Sequence, residues 1–139
     1  MLFIAIAVLI DMIAIGLILP VLPHIVGNFT PSKDVQTFWF GVTTFAFGVA
    51  NFFGAPMLGA LSDQYGRRPV LLVGFTGLAL GFFVTAAATA LWMIVVVRLF
   101  SGAMQANIAV ANAYVADITP PDDRARRFGV LGAMFGIGF

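Results

Sequence analysis

Two charged residues, Asp11 and Arg98, lie deep inside long apolar stretches of this sequence. Asp11 is the one charged or polar residue among the first twenty. An acid at this depth of a membrane is costly unless it is protonated, paired or turned towards water. Its neighbours one helical turn away are apolar, so we expect Asp11 to carry a proton or to bind a cation. The alternative is an acid that a hydrogen bond from another helix keeps neutral.

Arg98 begins a polar line along one predicted helix. The members of this line fall within about 60° of one direction at 100° per residue, and they are Arg98, Ser101, Gly102, Gln105, Ala109 and Asn112. A polar face of this length favours a helix that faces a water-filled cavity. We therefore expect Gln105 and Asn112 to line a cavity together with Arg98. Asn107 lies on the opposite side and is expected to bond a neighbouring helix. The alternative is that Arg98 extends its charged end to the outer headgroups.

A second group lies in the short charged segment at residues 59–69. It combines two glycines with an acid and two arginines, namely Gly59, Asp63, Gly66, Arg67 and Arg68. Gly59 shares one face of the second predicted helix with Gly41 and Gly48, and this face permits close approach of another helix. Gly66 permits a tight turn. Asp63 is placed to cap a helix or to pair with an arginine. Asp117, in a second charged loop on the same membrane side, is a further candidate partner. The alternative is a plain basic turn.

The composition is that of an integral membrane protein. Of the 139 residues, 61% are hydrophobic and 9% are charged, whereas about 25% are charged in an ordinary soluble domain. A net charge of +1 offers no basic surface for nucleic acid. The sequence has no cysteine and one histidine, so it indicates no metal site. It also shows no pair of nucleophile and base, and we expect neither an enzyme nor a cofactor.

The apolar segments that position these residues predict an all-α membrane protein. A helix crosses the bilayer core with about 20 residues, and segments of this kind lie at about 1–22, 36–61, 70–88 and 91–114. The last two are separated at residues 85–89, because one helix over 70–116 would be more than twice as long as the bilayer core is thick. The segment 128–139 is too short to span and is expected to be the truncated start of a fifth helix.

The basic residues predict the orientation in the membrane. Five arginines lie in the loops after the second and fourth predicted helices, namely Arg67, Arg68, Arg124, Arg126 and Arg127. The opposite side has Lys33 alone. Because basic loops stay in the cytoplasm, we expect the amino terminus and both arginine loops to be cytoplasmic.

Four stretches, at residues 11–23, 59–69, 98–102 and 113–119, resemble in order the amino-terminal part of drug:proton antiporters of the major facilitator superfamily. The likeness is closest to bacterial tetracycline-efflux proteins. It implies a twelve-helix protein of two six-helix halves, of which residues 1–139 are an incomplete first half. It also implies a cytoplasmic latch of Asp63, Arg67 and Asp117, with Arg98 in proton coupling and Asp11 in the cavity. Gly81 stands where tetracycline exporters tend to carry an acid in the third helix.

The resemblance implies proton-coupled efflux of small amphipathic drugs, multidrug or tetracycline-like, across a bacterial inner membrane. The implied partners are membrane lipid, protons, the transported molecule and the remaining carboxy-terminal helices. The alternative is a membrane scaffold or assembly partner that transports nothing, in which the buried charges pair helices. Under that alternative, removing either charge changes assembly and alters no flux.

Overall fold

In a computed structural model, the protein is described at residues 2–105 and 107–139. These residues form six helices and no strand. The helices are α1 (Leu2–Gly27), α2 (Lys33–Tyr65), α3 (Arg67–Ala86), α4 (Leu91–Met104), α5 (Asn107–Ile118) and α6 (Pro121–Gly138).

Four stretches of the described chain are long and apolar enough to cross a membrane. They are α1, α2, α3 and the combined stretch Leu91–Ile118. The predicted all-α class with four membrane-spanning segments is therefore confirmed.

The first two helices are longer than the predicted segments. α1 continues through Pro20 and Pro23 to Gly27, because its last turns are buried by packing: Leu22 and Val26 contact Ile94 in one apolar cluster. Gln36, near the start of α2, donates a hydrogen bond of 2.6 Å to the carbonyl oxygen of Pro23. This hydrogen bond ties the start of α2 to the last turns of α1.

The charged segment at 59–69 is mostly helical. α2 continues to Tyr65 and α3 begins at Arg67, so one residue, Gly66, connects them. Its φ of +96° is in the region that favours glycine. Pro69 is accommodated in the first turn of α3, where the backbone N–H groups have no helical partner.

The predicted fourth helix is two helices. α4 ends at Met104, and the Gln105 N–H bonds the Gly102 carbonyl oxygen at 3.3 Å, a contact one residue shorter than the α-helical one. α5 begins at Asn107. This interruption changes which side chains of the span face inward.

The main apolar cluster lies towards the end of the bundle that holds the amino terminus. It joins five helices through side chains such as Ile4 and Met12 of α1, Leu71 of α3, Val115 of α5 and Leu131 of α6. The smaller cluster with Leu22 and Ile94 lies at the other end. The two clusters hold α1 near both of its ends, and Asp11 lies at the level of the main one, between Val8 and Met12 in sequence.

Glycine brings α2 and α4 together, but on a face other than the predicted one. A Cβ at Gly54 would strike the backbone of Ala103, and a Cβ at Gly102 would strike the carbonyl oxygen of Phe47. In contrast, a Cβ at Gly41, Gly48 or Gly59 would meet no atom within 4 Å among the described residues. The expectation that Gly59 admits a neighbouring helix therefore stays a prediction.

Candidate functional site

Asp11 is enclosed in the middle of α1. The residue is 1% exposed, and its Oδ1 accepts a hydrogen bond of 3.3 Å from Nδ2 of Asn107. Its other oxygen, Oδ2, has no hydrogen-bond partner among the described residues. The prediction that Asn107 bonds a neighbouring helix is therefore confirmed. A carboxyl group with one free oxygen can exist here as the carboxylate, or with a proton on Oδ2 as the acid.

Asn107 is itself fixed from the side of α3. It is 4% exposed, and a Cβ at Gly74 would strike its carboxamide oxygen. Glycine at this position makes room for the amide between α1 and α3. The sequence placed Asn107 away from the polar line and assigned it no role at the site. The available signal was an amide on the side of the span opposite to the polar line.

A cavity of about 120 Å³ lies between α1, α2, α3 and α4. Its polar lining consists of Thr44, Thr85, Arg98, Ser101 and Gln105. The remaining lining is aliphatic and aromatic, apart from Gly81. The structure thus brings two of the predicted cavity residues, Arg98 and Gln105, to one space.

Arg98 is the charged residue of this lining. It is 8% exposed, and its guanidinium carbon lies 5.7 Å from the centre of the Phe47 ring, a cation–π distance. Its Nε has no hydrogen-bond partner among the described residues. Arg98 is buried among α1, α2 and α3, and so it does not extend to the headgroups as the alternative required.

Asp11 lies outside the cavity lining. Ile15, one turn along α1, is part of the cavity wall, so Asp11 lies about 6 Å further along the helix axis at 1.5 Å per residue. The resemblance had implied that Asp11 is in the cavity. The structure instead places the acid in a separate buried layer, next to the cavity on the side of the amino terminus.

Asn112 also lies outside this cavity, and its predicted place on a transport cavity stays a prediction. It is exposed on α5, whereas the buried residues of that helix are Asn107, Val110, Ala111 and Val115. The physical reason is the end of α4 at Met104, because the line that starts at Arg98 requires one continuous helix.

The predicted latch residues Asp63, Arg67 and Asp117 are in direct contact. Arg67 Nη2 lies 2.6 Å from Asp63 Oδ1, and Arg67 Nε donates to Asp117 Oδ2 at 3.0 Å. Arg67 Nη1 also donates to the hydroxyl of Ser62 at 2.5 Å. One guanidinium thus joins the end of α2 to the end of α5, and Arg67 lies 50 residues before Asp117 in sequence.

The second arginine of this segment has a different contact. The Arg68 guanidinium carbon lies 5.2 Å from the centre of the Phe3 ring, near the start of α1. In the other basic loop, Arg124 donates to the carbonyl oxygens of Ala116 and Thr119 and so caps the end of α5. The start of α1 and both arginine loops therefore share one end of the bundle.

Two further features concern metal-binding side chains and the glycine at position 81. Histidine and acidic side chains form no group of three or more in the described residues that could hold a metal ion.

Gly81 packs against Ser101, and a Cβ at position 81 would overlap the Ser101 hydroxyl. An acid at this position would require Ser101 to move.

Comparison with known proteins identifies relatives of the same architecture. The chain is 41% identical over 131 residues to the class C tetracycline resistance protein of Escherichia coli, covering 94% of this chain and 33% of that protein. It is 43% identical over 130 residues to the class B tetracycline resistance protein of Escherichia coli, covering 94% of this chain and 32% of that protein. The chain thus spans about a third of the length of these relatives.

A solved structure and a family profile agree with these relatives. The crystal structure of the human organic anion transporter MFSD10 matches with a TM-score of 0.81 and 28% identity, over 98% of this chain and 38% of that chain. The profile of the Major Facilitator Superfamily matches residues 4–139. On this match, which covers nearly the whole sequence, the chain belongs to the Major Facilitator Superfamily.

Proposed function

We propose that this chain is the amino-terminal part of a proton-coupled exporter of small amphipathic molecules, and that Asp11 is its proton carrier. The observation that supports this most is the burial of Asp11 beside the main apolar cluster, with one hydrogen bond and one oxygen without a partner in the described chain. A charge in such surroundings is costly. A carboxyl group that takes up and releases a proton there changes the local charge, and such a change can bias one helix arrangement over another.

The wall of the cavity beside this acid has the chemistry expected for a small amphipathic molecule, and its volume of about 120 Å³ holds one part of such a molecule. Large apolar and aromatic side chains make up most of its wall, and a few polar groups converge on it. Ligand sites combine apolar surface with a few polar groups in this way. The bacterial relatives are tetracycline resistance proteins, and this supports the same class of cargo. The cavity lining includes Arg98 from the fourth span and Gly81 from the third.

Arg98 couples the two sites in this proposal. It is a buried fixed charge in the layer next to Asp11. A positive charge favours an ionised carboxyl group, by an amount that depends on the distance between them. A movement of α4 relative to α1 would therefore alter proton affinity at Asp11 as the cavity changes side.

The latch and the orientation complete the proposal. Arg67, with Asp63 and Asp117, would stabilise one of the two states of alternating access at the cytoplasmic end. The arginines of both loops lie at this end together with the start of α1. The positive-inside rule then assigns the amino terminus and the latch to the cytoplasm of a bacterial inner membrane.

The test is proton-driven export by the full-length transporter with Asp11→Asn. We expect the variant to lose export driven by a pH gradient, down to the level of protein-free vesicles, because the amide cannot exchange a proton. Asp34→Asn is the matched control, since Asp34 is an exposed acid in the first turn of α2, and it should export at the normal rate.

Two outcomes would contradict the proposal. One is full proton-driven export by Asp11→Asn. The other is a parent protein without flux, in which Asp11→Asn and Arg98→Ala change assembly alone. The second result is the one expected of a membrane scaffold.

A further inference from the structure

Asn107 is the residue that connects Asp11 to the rest of the bundle. Its Nδ2 donates to Asp11 Oδ1 on α1 at 3.3 Å. Its carboxamide oxygen lies on the side of α3, where a Cβ at Gly74 would strike it. Asn107 is also the first residue of α5, directly after the interruption of the fourth span. One buried amide therefore contacts α1 and α3 at the point where the fourth span changes register.

The contact suits both protonation states of the acid. An asparagine side chain carries two N–H donors and one acceptor oxygen. The amide N–H can donate to the carboxylate, as it does here, and the terminal torsion of asparagine is soft enough to present the oxygen to a protonated acid. A hydrogen bond donated to the charged form favours that form. The amide is thus placed to influence how readily Asp11 gives up its proton.

Other charges lie away from this contact. The helices packed against α1 are α2, α5 and α6. Their charged and titratable residues in the described chain lie towards the helix ends, and these are Lys33, Asp34, Asp63, Tyr65, Tyr114, Asp117, Asp122, Asp123, Arg124, Arg126 and Arg127. α3 has Arg67 and Arg68 at its start, and α4 contributes Arg98 from the cavity layer. The hydrogen bond that reaches Asp11 comes from Asn107.

We propose that Asn107 is a positioning residue for proton exchange at Asp11: its amide holds the ionised carboxylate and sets the pH at which Asp11 becomes protonated. This inference rests on the proposed function, in which Asp11 carries the proton. It goes further by assigning the control of that step to the start of α5. Movement at the interruption between α4 and α5 would withdraw the donor and favour the protonated acid.

The experiment is the pH dependence of carbodiimide labelling at Asp11 in the purified full-length transporter, read by mass spectrometry. Carbodiimides react with a protonated carboxyl group in apolar surroundings. Asn107→Leu keeps nearly the same shape and removes the donor. We expect its labelling midpoint to lie about one to two pH units higher than in the parent, the shift that corresponds to losing one hydrogen bond to a charged group. Proton-driven export should show the same displacement of its pH profile.

The control is Asn28→Ala, an exposed asparagine after the end of α1, which should leave both profiles unchanged. If Asn107→Leu does not fold, Asn107→Ala is judged by the same criterion. A purely structural role would lower export at every pH without moving the labelling midpoint, and an unmoved midpoint would overturn the inference. A moved midpoint supports it.

The two proposals can fail separately. Full export by Asp11→Asn would show that Asp11 is not the proton carrier, whatever the labelling of Asn107→Leu shows. Conversely, Asp11→Asn could lose export while Asn107→Leu leaves the labelling midpoint unmoved. Asp11 would then remain the proton carrier, and Asn107 would have no positioning role.

Discussion

Arg67 holds two carboxylates that come from distant parts of the chain. Its own side chain is 19% exposed, whereas those of Asp63 and Asp117 are 64% and 57% exposed. Ion pairs with such exposed acids contribute about 0.2–1 kcal/mol, because water competes for both charges. The cluster therefore stabilises the fold only modestly. In the function proposed above, its larger effect is to select one arrangement of α2, α3 and α5 over another.

The first prediction concerns the effects of Asp63 and Asp117 on stability and on export. Asp63→Asn and Asp117→Asn should each lower the free energy of unfolding of the full-length transporter by about 0.2–1 kcal/mol. Export should slow by a larger factor than this loss explains, because the latch selects a conformation. Thermal unfolding in detergent and initial export rates would measure the two effects. A stability loss well above about 1 kcal/mol in either variant would identify the pair as structural.

At the residue level, the sequence indicated that Asp63 could pair with an arginine. The observed pair with Arg67 crosses the turn at Gly66, since Asp63 lies at the end of α2 and Arg67 begins α3. The contact between Asn107 and Asp11 was not foreseen as a pair. It joins residues 96 positions apart, and it depends on how α5 packs against α1, which a single sequence does not reveal.

At the level of elements, the interruption of the fourth span decides the shape of the site. The polar line from Arg98 through Ser101 to Gln105 faces the cavity and then ends. After it, α5 turns Asn107 inward and leaves Asn112 exposed. The line could be predicted up to Gln105 from helical periodicity. The interruption could not, because no proline or charge marks it in the sequence.

The second prediction concerns the contact between α2 and α4. Gly54→Ala should destabilise the transporter by about 1–3 kcal/mol, because the added methyl group meets the backbone of Ala103, which cannot turn away as a side chain can. Gly48→Ala is the matched control on the same helix. Its methyl group meets no atom within 4 Å of the described chain, so its effect should be neutral or stabilising by about 0.5–1 kcal/mol.

Thermal unfolding of the two variants measures this difference. Equal melting temperatures for Gly54→Ala and Gly48→Ala would contradict the close approach of α2 and α4. A lower melting temperature for Gly48→Ala alone would indicate that the predicted glycine face is the one in contact.

For the whole molecule, the two ends of the bundle differ in charge. The end with Arg67 and Arg68 also holds the start of α1, through the contact between Arg68 and Phe3. At the opposite end, Gln36 bonds Pro23 close to Lys33. The helical class, the four spans and the division into two ends were predictable, because hydrophobic length and basic residues determine them. The helix ends were not, because packing carries α1 and α2 beyond the purely apolar segments.

The third prediction concerns this orientation. The 139 residues contain no cysteine, so single cysteines can be introduced at Gln64, beside the latch, and at Pro31, in the connection between α1 and α2. In intact cells, a thiol reagent that does not cross membranes should label Pro31→Cys and leave Gln64→Cys unlabelled. The reverse pattern would contradict a cytoplasmic latch.

In the proposed function the transported molecule is exchanged for protons, and uphill transport in proteoliposomes measures this exchange. The full-length transporter is reconstituted with equal concentrations of the transported molecule on both sides, and a pH gradient is then imposed. We expect the molecule to accumulate on the acidic side, against its own gradient, and we expect the accumulation to reverse when the pH gradient is reversed. Equal concentrations that persist under both gradients, in vesicles that still equilibrate the molecule, would contradict it.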